Sequence, residues 1–136
     1  MQRSPELAPL SRDHHQALVV AMGLRRGAPD ARERFAAYWA QDGAGHFAIE
    51  ERVLTAGLLP EEARWPEGVA RMTAEHRDLE RLAALVLGGD QEAQAQLGER
   101  LDAHVRFEER ELFPLLEEHA DPALLAGVGA ALAERR

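Results

Sequence analysis

Residues 46–58 read HFAIEERVLTAGL, and residues 104–116 read HVRFEERELFPLL. Side by side they agree at six of 13 positions: His46/His104, Glu50/Glu108, Glu51/Glu109, Arg52/Arg110, Leu54/Leu112 and Leu58/Leu116. In an α-helix, residues i and i+4 share one face, a turn apart. His46 and Glu50 therefore point a nitrogen and a carboxylate at a common spot, and so do His104 and Glu108. Ile49 and Val53 flank the first pair, and Phe107 and Leu112 lie near the second. Both faces are therefore expected to turn inward.

The segments preceding each copy also echo one another. Asp13-His14-His15-Gln16-Ala17-Leu18 is similar to Ala74-Glu75-His76-Arg77-Asp78-Leu79, with a Leu three residues after the aligned His15 and His76. The unit is a helix with one inward His, followed by a helix carrying His-x-x-x-Glu, used twice. Two copies of so long a unit do not make a solenoid.

The rest of the chain agrees with this reading. Ala, Leu, Glu and Arg dominate, and no alternating strand-like run appears. Ser11 and Asp13 offer N-cap chemistry for a helix over 14–26. A second helix is expected over 31–57, interrupted by Gly43 and Gly45. A proline-containing connection follows over 58–67, then a helix over 68–87 and another over 90–118, kinked by Pro114. Asp121-Pro122 opens a short fifth helix. Its apolar stretch, 123–128, suits either closure of the bundle or a dimer contact. The fold expected is all-α: an up-down-up-down four-helix bundle with a short C-terminal fifth helix.

Composition excludes several functions. The 136 residues carry 24 acidic and 16 basic side chains, a formal charge of −8, which disfavours nucleic acid as the main partner. With no Cys there is no disulfide, thiolate metal site or thiol nucleophile. No apolar run is long enough to span a membrane, and no apolar leader opens the chain, so a cytoplasmic location is expected.

Buried ionised carboxylates are costly unless paired or metal-bound. Two Glu and several His converging in a bundle interior are what a dinuclear site requires. Composition alone would give about 0.75 His-x-x-x-Glu pairs by chance; three occur, at His46/Glu50, His76/Glu80 and His104/Glu108. His76 lies on the apolar stripe of its helix with Leu79, Ala83 and Val86, whereas Glu80 sits at the edge and is read as solvated. In the first helix, His15 heads the bulky stripe Leu18, Val19 and Met22, and its register matches His76. It is favoured over its rival His14. Glu51 and Glu109 are read as solvated or paired with Arg, with orientation of a ligand His as the other role. His119 lies about 22 Å along the helix from His104 and is outside the site. The lone tyrosine, Tyr38, is placed in the core, and Trp65 at a bundle end.

The order His15, His46-x-x-x-Glu50, His76, His104-x-x-x-Glu108 resembles the hemerythrin-like family of HHE cation-binding domains. The phrases SRDHHQAL, TAEHRDLERL and HVRFEERELFPLLEE carry the resemblance over about residues 10–119, within a single domain spanning 1–136. The resemblance implies two non-haem iron ions with a bridging oxo or hydroxo group, although other divalent ions suit the same donors. It also implies His15, His46, His76 and His104 as terminal ligands, and Glu50 and Glu108 as bridges. Oxygen-carrying members have five His, a Glu and an Asp; four His and two Glu point to a more symmetric site. The expected function is binding or sensing of dioxygen or a related small molecule (nitric oxide, peroxide), with oxidative-stress or iron handling as its setting. A protein partner or homodimer fits as well. Two rivals stand behind it. One is a di-iron enzyme reducing peroxide, dioxygen or nitric oxide, disfavoured because ferritin-like oxidases use Glu-x-x-His, the reverse order. The other is a bundle with a purely structural metal.

Overall fold

The computed structural model describes residues 3–56, 64–119 and 122–134, without the side chains of residues 53, 55, 56, 64–66, 119 and 124. The chain is all-α among these residues. Helix α1 spans Ala8–Arg26 and α2 spans Ala31–Tyr38. A π-helical turn, Trp39–Gly43, leads into α3, Ala44–Ala56. Helix α4 runs over Arg64–Leu87 and α5 over Gln91–Phe107. A second π-helical turn, Glu108–Leu112, continues into α6, Phe113–His119. The last helix, α7, is Pro122–Glu134.

Three local expectations need correction. Helix α1 starts at Ala8, with Pro9 in its first turn, where the missing N–H costs nothing. Ser11 and Asp13 therefore lie inside the helix rather than capping it. Helix α4 opens at Arg64, so the expected connection over 58–67 is helical from residue 64; its earlier part and the Trp65 side chain lie outside the described residues. The interruptions expected at Gly43 and Pro114 are π turns. Ala44 N–H bonds back to the Trp39 carbonyl, and Phe113 N–H to the Glu108 carbonyl. The extra residue in the second turn reorganises the bonding just before a proline that has no N–H to donate. In the first, Gly43 is needed sterically: a Cβ there would come within 2.7 Å of the Trp39 ring and 2.8 Å of the Tyr38 ring.

The apolar core is divided into two clusters. One contains Ala17, Leu24, Phe35, Phe47, Leu82 and Leu101. The other contains Leu7, Leu10, Met72, Phe107, Phe113 and Leu132. Along α1 the order is Leu10, His14, Ala17; along α4 it is Met72, His76, Leu79. A polar layer thus lies between two apolar ones. Val128 and Leu132 of α7 are buried in the second cluster, so the C-terminal helix closes that end of the core.

Candidate metal centre

Six polar side chains fill this layer: His14, His46, Glu50, His76, His104 and Glu108 are all buried, with Glu50 and Glu108 at 0% exposure. Five are residues singled out from the sequence. The sixth is not. His15 is exposed, and the structure brings His14 to the cluster in its place. Of the bulky stripe that favoured His15, Val19 and Met22 face outward, 47% and 49% exposed, and Leu18 alone packs partly against the core. The buried residues of α1 are Leu10, His14, Ala17, Val20, Ala21 and Leu24. Its small residues allow α5 to approach closely: a Cβ on Gly98 would lie 2.8 Å from the Ala21 carbonyl oxygen.

The layer divides into two groups that share both carboxylates. His14, His46, Glu50 and Glu108 form one; Glu50, His76, His104 and Glu108 form the other. Within each group the donor atoms lie within 4.8 Å of one another. Glu50 Oε2 lies 3.1 Å from His46 Nε2 and 3.8 Å from His14 Nε2, while its Oε1 lies 3.1 Å from His76 Nε2. Glu108 Oε1 lies 2.7 Å from His14 Nε2, while its Oε2 lies 3.2 Å from His104 Nε2 and 3.7 Å from His76 Nε2.

Every imidazole is gripped from outside by a further carboxylate. His14 Nδ1 pairs with Glu109 Oε2 at 2.6 Å, and His46 Nδ1 with Asp13 Oδ2 at 3.0 Å. His76 Nδ1 pairs with Glu51 Oε2 at 2.8 Å, and His104 Nδ1 with Glu75 Oε1 at 2.6 Å. Asp13 and Glu75 are the members of this outer set that the sequence reading missed. Each immediately precedes a buried His, which is the signal that marks them. For Glu51 and Glu109 the two alternatives are not exclusive: each meets a buried His and also pairs with an arginine, Arg77 and Arg3 respectively. Glu80 lies at the surface beside Arg77, as expected. The His119 side chain lies outside the described residues.

Aromatic rings line the layer. Phe47 stacks on His76 at 4.0 Å and 8°, and Phe113 on His14 at 5.4 Å and 12°. Tyr38 is buried, and it borders a cavity of about 640 Å³ together with Gln16, Val20 and Gln41. Burial, then the charges of Glu50 and Asp13, push the Tyr38 phenol above its ordinary range.

Electrostatics and orphaned atoms test whether metal ions fit here. Burial disfavours charge on the imidazoles, but the carboxylates outweigh it: His46 and His104 are pushed up to about 10, His76 to about 9, and His14 upward. Glu108 bears the cost of full burial, yet His104, His14 and His76 hold it well below the usual carboxylate range. The layer attracts positive charge strongly. Meanwhile the Nε2 atoms of His14, His46 and His104, with Glu50 Oε2 and both Glu108 oxygens, are buried and close to one another, yet none makes a hydrogen bond of good geometry. Buried polar atoms are normally satisfied. These six all point into the layer, and they are the nitrogen and oxygen donors that first-row metals accept. The donor set fits a pair of divalent cations.

A family model for the hemerythrin HHE cation binding domain matches residues 8–116. The chain belongs to the hemerythrin HHE cation-binding domain family. The match takes in all six residues of the polar layer and all four outer carboxylates. Comparison with curated proteins and with solved structures gave no significant match. None of the described helices of this HHE domain is long and apolar enough to cross a membrane.

Proposed function

We propose that this HHE domain holds two non-haem iron ions and binds or senses dioxygen or a related small molecule, nitric oxide or peroxide, in oxidative-stress or iron handling. The observation that carries the reading is the division of two carboxylates: Glu50 turns Oε2 toward His46 and Oε1 toward His76, while Glu108 turns Oε1 toward His14 and Oε2 toward His104, so both belong to both groups. In this reading the four imidazoles would be terminal ligands, with His14 in the place expected for His15, and Glu50 and Glu108 would be shared between the ions. When bound, an iron pair supplies a redox-active centre that a small ligand can reach by coordination.

The chain's own residues do the rest. The outer carboxylates fix the imidazole rings and leave Nε2 facing inward. Phe47 and Phe113, with the apolar clusters on either side, keep bulk water out. Low polarity around the layer strengthens every charge interaction within it. The same proposal treats residues 1–136 as one domain, with the long helical segments arranged up-down-up-down as a four-helix bundle and α7 as the added fifth helix.

The test is metal content on anaerobically purified protein, followed by an absorption spectrum as oxygen is admitted. About two irons per chain are expected, with new near-ultraviolet and visible charge-transfer bands. Bands that reverse on nitrogen purging identify a binder. Bands that persist while a reductant is consumed identify a turnover enzyme instead. One tightly held zinc without any spectral response would overturn the redox reading.

A further inference from the structure

We propose that Asp13, Glu51, Glu75 and Glu109 are positioning residues that work as two dedicated pairs, each pair orienting the imidazoles of one half of the metal centre. Asp13 and Glu109 serve His46 and His14; Glu51 and Glu75 serve His76 and His104. The inference rests on the dinuclear reading above and concerns how each half is held.

The four contacts form a closed circuit around the molecule. Asp13 of α1 reaches His46 of α3, and Glu51 of α3 reaches His76 of α4. Glu75 of α4 reaches His104 of α5, and Glu109, in the second π turn, returns to His14 of α1. Every outer carboxylate is the chain neighbour of a residue in the polar layer: Asp13 of His14, Glu51 of Glu50, Glu75 of His76 and Glu109 of Glu108. One backbone position therefore sets both a donor on its own segment and the orientation of a donor on the next.

The chemistry follows from the two nitrogens of imidazole. When Nδ1–H donates to a carboxylate, the neutral ring carries its lone pair on Nε2, the atom directed at the layer. The carboxylate also fixes the ring's rotation and raises its basicity. Glu51, Glu75 and Glu109 are themselves held by further side chains. Arg77 holds Glu51, Arg71 holds Glu75 at 2.9 Å, and Arg3 with Ser11 holds Glu109 at 3.2 and 2.7 Å. A carboxylate that merely offset charge would need no such bracing and no one-to-one assignment to a ring.

The division by halves gives the test. Glu51→Gln with Glu75→Gln removes both outer carboxylates of the His76/His104 half. Asp13→Asn with Glu109→Gln removes those of the His14/His46 half. Glu51→Gln with Glu109→Gln removes one from each. All are loaded anaerobically with iron(II), then dialysed against rising chelator while iron per chain is counted. Losing a partner of this kind lowers metal affinity roughly 10- to 100-fold. Each same-half variant should therefore release its iron in two steps, with a plateau near one ion per chain, while the mixed variant releases both in a single step. Asp78→Asn, which removes a carboxylate paired with Arg81 and Arg100, should follow the unsubstituted chain. Urea melts of the metal-free variants read folding separately, and Glu75→Gln or Asp13→Asn alone replaces any double variant that does not fold. Two irons on the unsubstituted chain but no plateau in the same-half variants would overturn this inference alone. Fewer than two irons on the unsubstituted chain would overturn the dinuclear reading as well.

Discussion

In the His76/His104 half the Phe47 ring lies parallel to the His76 imidazole at 4.0 Å, and Arg71 covers Phe107 at 4.0 Å while gripping Glu75, the outer acid of His104. Around His14 the corresponding parts are Phe113 at 5.4 Å and Arg3, whose guanidinium lies 5.6 Å from the Phe113 ring centre while it grips Glu109. Both halves use the same device: a ring against a His, and an arginine over a ring that also holds the outer acid. They differ in where the arginine comes from. Arg71 sits on α4, four residues before the acid it braces, at the spacing that puts two residues on one helix face. Arg3 lies in the segment preceding α1 and reaches Glu109 and Glu117 far along the chain. The inner His and Glu side chains follow the duplicated sequence, whereas the bracing of the His14 half depends on a segment that has no counterpart in the other.

The largest expected effect erases the distinction between the halves. Glu50→Ala or Glu108→Ala removes a carboxylate that both halves share, so each variant should lose the dinuclear site altogether. Retention of two metals per chain in either variant, measured by elemental analysis, would show that the bridging assignment is wrong. A smaller effect should expose the distinction. His14→Ala should weaken the ion of the His14/His46 half and leave the other bound, while His15→Ala leaves metal content nearly unchanged. The reverse outcome would return helix α1 to the register first expected from its bulky stripe.

That register shows how far the sequence could be read. The i,i+4 pairs His46/Glu50 and His104/Glu108 were legible because helical period alone places both members on one face. His14 was hidden because inward faces were judged by bulk, and the close seam with α5 selects small residues instead. Aligning Asp13-His14 with Glu75-His76 would have found it. That register sets Ala17 beside Leu79, Val20 beside Leu82, Ala21 beside Ala83 and Leu24 beside Val86, all buried. Asp13 was obscured for a different reason. An acid ahead of an apolar run reads as an N-cap, and only the true start of α1 at Ala8 frees it for His46. The π turns lay beyond sequence reasoning. Gly43 and Pro114 mark weak points in a helix, but neither specifies that the chain will insert a residue there.

The seam itself provides the next test. A Cβ at Gly98 would meet the Ala21 carbonyl at 2.8 Å and the Arg25 backbone nitrogen at 2.9 Å, and backbone yields less readily than a flexible side chain. Gly98→Ala should therefore lower stability by about 1–3 kcal/mol through overpacking, despite the better helix propensity of Ala. Gly23→Ala, with nothing within 4 Å, should instead raise it by roughly 0.5–1 kcal/mol. Urea midpoints of the metal-free proteins would show the contrast. A stabilising Gly98→Ala would mean that α1 can move away from α5 without cost, and that the seam does not set the position of His14.

The smallest effect concerns the two arginines. Both are partly solvated, so neither ion pair is expected to contribute more than about 1 kcal/mol. Arg3, however, has a side chain 20% exposed, pairs with Glu109 and Glu117, and lies against Phe113; Arg71 is 50% exposed. Screening by water weakens the Arg71 pair more, whereas Arg3 holds two carboxylates from a less exposed position. Arg3→Ala should thus lower the melting temperature more than Arg71→Ala, and added salt should diminish the effect of Arg71→Ala the more of the two. The difference should also be specific to one half: Arg3→Ala loosens Glu109 and with it His14, leaving Glu51 and Glu75 in place. Equal melting temperatures for the two variants would mean that the segment before α1 braces its half no better than a surface arginine does, and the asymmetry between the halves would reduce to the stacking distances alone.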